Sequence, residues 1–258
     1  MDKSVIKNKC IYFISLLTMI FILVAIAYFF FMRNVEVDIM KNASYSYDGE
    51  NGTATVTVTP GESDLNQRIQ DFLDTVTYEV SPNSDLSNGQ TIHVTATYDE
   101  ELAQEYHYSV KSTEADVVVS GLPNRYTSID DIPSSLVKEC KESAQAYVED
   151  HAEEIYTLDT QNEDSESLDK IKIVYSAYLK SNASKNSDRF VYILKLHYGD
   201  TIIYYMVCVP NINDSNTIDR QNIYGEKAYL TQAEIDAEDY VGYISRIFSS
   251  NYYVQEKK

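Results

Sequence analysis

Four histidines, three cysteines and 40 acidic residues are the side chains in this 258-residue sequence with the widest chemical range. Histidine suits acid–base work and metal ligation near neutral pH. His93, His107, His151 and His197 stand at no zinc-ligand spacing with one another or with a cysteine. His93 and His197 fall within strand patterns and His151 on a helix flank, so structural or surface placement is expected for them. Cys10, Cys140 and Cys208 are too few and too scattered for a metal ribbon or a disulfide framework. A reactive thiol needs an electropositive, partly open setting. Cys140 and Cys208 instead lie on apolar-patterned elements, where burial as reduced, small apolar side chains is expected.

Cys208 shares one strand face with Ile202, Tyr204 and Met206. A helix carrying Cys140 across that face would let the two thiols meet, and a bridge is the competing expectation. No G-x-S-x-G elbow marks a serine hydrolase. Carboxylate pairs can hydrolyse glycosides, but with so many acidic residues no spacing selects one. The acidic stretches 159–169 and 211–219 invite a calcium reading, yet neither has glycine sixth or glutamate twelfth as an EF-hand loop requires. Exposed loops are expected there. Tyrosine occurs 23 times and tryptophan never. Tyr204 and Tyr205 should point to opposite sheet faces, as should Tyr252 and Tyr253, either completing a core or stacking on a ligand. No catalytic, cofactor-binding or metal-binding residue is assigned, no cofactor is expected, and the expected function is non-enzymatic.

The elements that would position these residues begin with an anchor. Residues 10–32 contain no charged residue, and as a helix they reach about 34 Å, enough for a hydrocarbon core of about 30 Å. A signal peptide cleaved after Ala25-Ile26-Ala27 is the rival reading, but the apolar run continues through Met32. Lys3, Lys7 and Lys9 precede the span and Arg33 follows it, so residues 1–9 should be cytoplasmic and the rest outside. Of 21 basic and 40 acidic residues, 17 and 39 lie beyond residue 34, a formal −22. Such a surface repels nucleic acid, which is excluded as a partner. Its plain consequence is solubility, and its sharper one is attraction of cations or basic partners.

Two extracytoplasmic modules are expected. Residues 35–122 read as a β-rich, sandwich-like domain, with strands at 35–39, 54–59, 76–80, 91–98 and 115–121. Turns are expected at 48–52 and 86–89, and a helix over 65–73 capped by Asp64. Pro123 marks the boundary. Residues 124–258 read as an α+β domain, cystatin-like or NTF2-like. A helix over 134–156 aligns Val137, Cys140, Ala144, Val148, Ala152 and Ile155 on one stripe. Strands at 171–179, 189–198 and 201–209 follow, the last two joined by Gly199-Asp200. Thr231 and Glu234 form a capping box for a final helix bearing Ala237, Val241, Ile244 and Phe248 on one face.

Tyr47-Asp48-Gly49-Glu50-Asn51-Gly52-Thr53-Ala54, Leu86-Ser87-Asn88-Gly89-Gln90 and Val119-Ser120-Gly121-Leu122 resemble turn and strand signatures of a group of Gram-positive membrane proteins. That group is the teicoplanin-resistance-associated membrane protein and its relatives. The resemblance covers residues 35–125 by motif and the C-terminal half by layout. It implies a single-pass envelope protein linked to wall stress or glycopeptide response. Many members carry a cytoplasmic zinc ribbon, which the nine residues before Cys10 do not provide. The signatures mark a scaffold and transfer no site residue. The expected function is an extracytoplasmic binding or accessory protein whose partner is a wall polymer or another envelope protein. The alternatives are a scaffold that positions envelope partners, and a wall hydrolase using a carboxylate pair.

Overall fold

The computed structural model describes residues 3–31, 34–62, 67–160, 166–183 and 186–256. It opens with helix α1 (Lys3–Phe31), within which residues 9–29 are long and apolar enough to cross a membrane. None of the side chains from Lys9 to Phe29 is buried. Water cannot solvate such a surface cheaply, whereas lipid can. Met32, the last residue of the expected span, and Arg33 after it lie outside the described residues.

The body divides into two compact units. The first comprises residues 1–47, 55–84 and 89–119, and the second residues 48–54, 85–88 and 120–258. In the first, β1 (Val35–Val37), β2 (Ser44–Asp48) and β3 (Thr55–Thr59) precede α2 (Gln67–Leu73). Then come β4 (Thr77–Ser81), β5 (Thr91–Thr97), α3 (Glu100–Glu105), β6 (Tyr108–Val110) and β7 (Glu114–Val118). β4, β5 and β7 form an antiparallel sheet in that order, β2 pairs with β3, and β1 pairs with β6 in parallel. Alternation works as expected on β5, where Ile92, Val94 and Ala96 are buried. Phe72 and Leu73 of α2 are buried as well, and Phe72 meets Tyr98 and Tyr108 edge-on. The expected start of this helix, Asp64 and Leu65, lies outside the described residues.

Three elements of this unit were not anticipated. β2 alternates serine with tyrosine and carries no aliphatic residue, so it lacks the usual apolar signal. β6 is three residues long and follows His107, whose φ is +56°. α3 is capped by Asp99, whose carboxylate accepts from Leu102 N at 2.9 Å. That cap is legible in the sequence.

The second unit contains α4 (Ser134–Asp150), α5 (Ala152–Thr160), β8 (Lys170–Ser181), β9 (Arg189–Tyr198), β10 (Thr201–Pro210) and β11 (Tyr224–Lys227). It ends with α6 (Gln232–Ala237), α7 (Tyr240–Phe248) and β12 (Tyr252–Gln255). The sheet order is β11-β10-β9-β8-β12, with every neighbouring pair antiparallel. The β9–β10 hairpin turns at Gly199-Asp200, as expected, with Gly199 at φ +52°. β9 and β10 are nearly continuous apolar runs because both sheet faces are covered. On one face Phe190, Tyr192, Leu194, Val207 and Val209 pack with Cys140, Ala144 and Val148 of α4. On the other, Val191, Ile193, Met206 and Cys208 pack with Tyr240, Tyr243 and Ile244 of α7. Burying each such large side chain stabilises the fold by about 1.5–3 kcal/mol.

Two expected helices are each two helices. The 134–156 segment breaks at His151, the C-cap of α4, although the stripe itself is buried along Cys140, Ala144, Val148 and Ile155. The C-terminal helix begins at the expected capping box, with Thr231 Oγ1 accepting from Glu234 N. It then stops at Glu238, a left-handed residue with φ +52°. Asp239 starts α7 afresh by accepting from Gly242 N at 2.9 Å. The restart rotates the buried face to Tyr240, Tyr243 and Ile244, and Val241 is exposed.

Candidate functional site

In the second unit, the α4–α5 junction, β10 and β11 enclose a cleft of about 360 Å³, within the range of small-molecule sites. Its floor is Ile155 and Ile203, both buried. Tyr147, His151 and Tyr205 form an aromatic wall. The Tyr147 and His151 rings stack with centroids 4.3 Å apart, and His151 Nδ1 lies 2.7 Å from the Tyr147 carbonyl oxygen. Burial pushes the Tyr205 phenol well above its ordinary pKa, with the adjoining Tyr147 adding to the effect. It is therefore a neutral hydroxyl at any physiological pH.

The opposite wall is β11 and the residues after it. Gly225 permits the close approach of this edge strand. A Cβ there would run into the Tyr205 ring and come within 2.9 Å of Tyr147 Cε1. Glu226, Lys227 and Tyr229 complete the lining, with Glu154, Leu158 and Asp159 from α5. Tyr229 and Leu158 are each 73% exposed, a high value for large apolar side chains and one that leaves them free for contact. The Lys227 ammonium pairs with the Asp159 carboxylate and lies 5.9 Å from the centroid of the Tyr229 ring. Among the described residues, no cation pairs with Glu154 or Glu226. A shallower groove continues along α4 and α5, sharing His151, Glu154 and Leu158 and adding Asp150 and Glu153.

No family model matches the chain, and neither a curated protein nor a solved structure is significantly similar to it.

Of the chemically capable residues singled out in the sequence, His151, Tyr205 and Asp159, the first residue of the acidic stretch 159–169, reach this cleft. His93 is exposed on β5, 2.8 Å from Asp116 of β7, and that hydrogen bond is the main reason its pKa is raised. His107 sits in a turn and His197 on β9. Cys140 and Cys208 are free and buried. The geometry proposed for a bridge fails, because α4 packs on the face of β10 that carries Val207 and Val209 while Cys208 faces α7. Burial pushes Cys140 up to about 12 and Cys208 up to about 11. Tyr204 and Tyr205 do split between the two faces, as do buried Tyr252 and exposed Tyr253.

Ser-x-x-Lys spacings occur at Ser4–Lys7, Ser135–Lys138 and Ser167–Lys170. The side chains of the last two pairs are exposed, and Lys138 pairs with Glu142 at 3.5 Å. That is no setting for a serine activated by a desolvated lysine. Among the described residues no group of three or more His, Cys, Asp or Glu is placed to hold a metal ion. The lining contributed by Gly225, Glu226, Lys227 and Tyr229 went unforeseen. A four-residue edge strand with one aromatic residue and no aliphatic one gives no periodic signal.

A second polar constellation in this unit is internal. Glu50 is 7% exposed and accepts from Arg125 Nε at 2.5 Å and from Asn213 Nδ2 at 3.0 Å. Asp188 is fully buried, accepting from Tyr178 Oη at 2.6 Å and Ser181 N at 2.7 Å. Arg125 and Lys180 lie 3.9 and 3.8 Å from its carboxylate. These groups satisfy one another, the condition for charges to be tolerated inside a fold.

Proposed function

We propose that this protein is a membrane-anchored binding or accessory protein of a bacterial cell envelope, with residues 1–9 cytoplasmic and the body outside. The observation that carries the reading is the apolar helix α1, exposed throughout residues 9–29, ahead of an acidic, β-rich body. The lysines before the span orient it, and the turn signatures at 47–54, 86–90 and 119–122 support the resemblance to the teicoplanin-resistance-associated group. Wall polymer or another envelope protein is the partner class. The aromatic cleft is the binding site of this reading, since it offers shape, ring faces and an uncompensated carboxylate, Glu154.

Protease shaving of intact cells tests the topology. Expected is loss of nearly all of the chain beyond residue 33, with the anchor retained in the membrane. Full protection of residues 34–258 would place the body inside and overturn the reading.

A further inference from the structure

We infer that the cleft between α5 and β11 binds an organic ammonium ion bearing an apolar stem. This deepens the binding reading given above and rests on it.

The cleft already holds one such group. The Lys227 ammonium, on its own four-carbon stem, sits between the Asp159 carboxylate and the face of Tyr229. A carboxylate beside an aromatic face is the arrangement that recognises alkylammonium ions, through charge pairing and attraction to the ring quadrupole. A further carboxylate of the same cleft, Glu154, has no cationic partner among the described residues. Glu226 is in register with Met206 and so lies on the α7 face of the sheet. Counting Asp159 and Lys227 as a neutral pair leaves the cleft with one uncompensated negative charge, on Glu154. The adjoining groove adds Asp150 and Glu153. An anion is therefore repelled. A bare inorganic cation finds its charge partners but gains nothing from Ile155, Ile203, Leu158 and the tyrosine rings. An apolar neutral molecule has the converse deficit. An ammonium ion on an apolar stem satisfies both halves of the site.

The internal lysine also sets the sign of one effect. Lys227 competes for Asp159 and Tyr229, so removing its charge should improve the site for an incoming amine. A residue that merely holds the fold together would not behave so.

The test is isothermal titration of the full chain in a neutral detergent with pentylammonium chloride. 1-Pentanol and ammonium chloride at equal ionic strength serve as comparison arms. Expected is saturable binding of pentylammonium at least about fivefold tighter than of pentanol, and none of ammonium. Glu154→Gln and Tyr229→Ala, both on exposed residues, should each weaken it by roughly threefold. Lys227→Met should tighten it. Equal affinity for the alcohol, absence of saturation, or weaker binding by a folded Lys227→Met variant would overturn the inference. Protease shaving reports independently on the envelope reading. Failure of amine binding with the body still outside removes the ligand class alone, and a body found inside removes the envelope reading whatever the titration shows.

Discussion

Asp188 shows how a single side chain can carry more consequence than its type suggests. Its carboxylate is fully buried and satisfied by Tyr178, Ser181, Arg125 and Lys180. Asp188→Ala removes the acceptor and strands donors and positive charge inside the fold. We expect a loss of about 3 kcal/mol or more, read from the midpoint of urea unfolding. The surface pair Lys138–Glu142 is the contrasting case. With both side chains more than half exposed, Lys138→Ala should change stability by no more than about 0.5 kcal/mol. The cysteines give a second residue-scale prediction. With pKa values pushed up to about 12 and about 11 by burial, Cys140 and Cys208 should resist alkylation at pH 8 in the folded protein. Intact mass after denaturation and alkylation should then show three labels, Cys10 included. A single label would mean that Cys140 and Cys208 are bridged despite facing opposite sides of the sheet.

At the scale of elements, the α6–α7 junction and the β5–β7 pair each make a measurable claim. Glu238 pays a steric penalty at φ +52° that glycine would not. Glu238→Gly should therefore raise stability by about 0.5–1 kcal/mol, seen as a higher melting temperature. Asp239→Ala should lower it by about 1 kcal/mol, because the Gly242 N–H loses its cap. Unchanged melting in both variants would mean that the junction is not held by these two residues.

The His93–Asp116 pair joins β5 to β7 at the sheet surface. Its folded pKa is raised above the ordinary 6.5, first through the hydrogen bond to Asp116. The linked stability is fully present below the unfolded value and is lost as pH rises through the folded one. Asp116→Asn should return the His93 titration, followed by NMR, toward the ordinary value and flatten that pH dependence.

For the whole molecule, charge and unit composition are the governing facts. A formal −22 beyond residue 34 makes association with cationic partners salt-dependent, because exposed charges are screened within about 10 Å at 0.1 M salt. The second unit also includes residues 48–54 and 85–88. These loops bond to each other at Gly52 N to the Leu86 carbonyl oxygen (2.8 Å) and Leu86 N to the Ala54 carbonyl oxygen (2.9 Å). Asn51 N donates to the Pro123 carbonyl oxygen at 2.9 Å. A fragment of residues 124–258 therefore lacks Glu50, and Arg125 and Asn213 lose a buried acceptor. We expect that fragment to keep its five-stranded sheet and to unfold at lower urea than the same unit in the full chain. Equal midpoints would show that the 48–54 loop contributes nothing to the second unit.

The sequence alone determined what short-range periodicity and end signals can encode. The apolar run of α1, the alternation of β5, the Gly199-Asp200 turn, the Thr231 capping box and the Cys140–Ile155 stripe were all readable, because each depends on residues a few positions apart. The exposed α1 and the division of Tyr204 from Tyr205 follow from the same local rules. Tertiary structure alone decided which sheet face each helix covers. α4 lies over Val207 rather than Cys208, so two thiols with matching apolar patterns never meet. It likewise decided that Gly225, Lys227 and Tyr229 face α5 across a cleft, and that Glu50 is an internal partner of Arg125. These relations join residues dozens of positions apart. They follow from the packing of whole elements, and a short edge strand or an isolated turn glutamate carries no local pattern that reports where it will be packed.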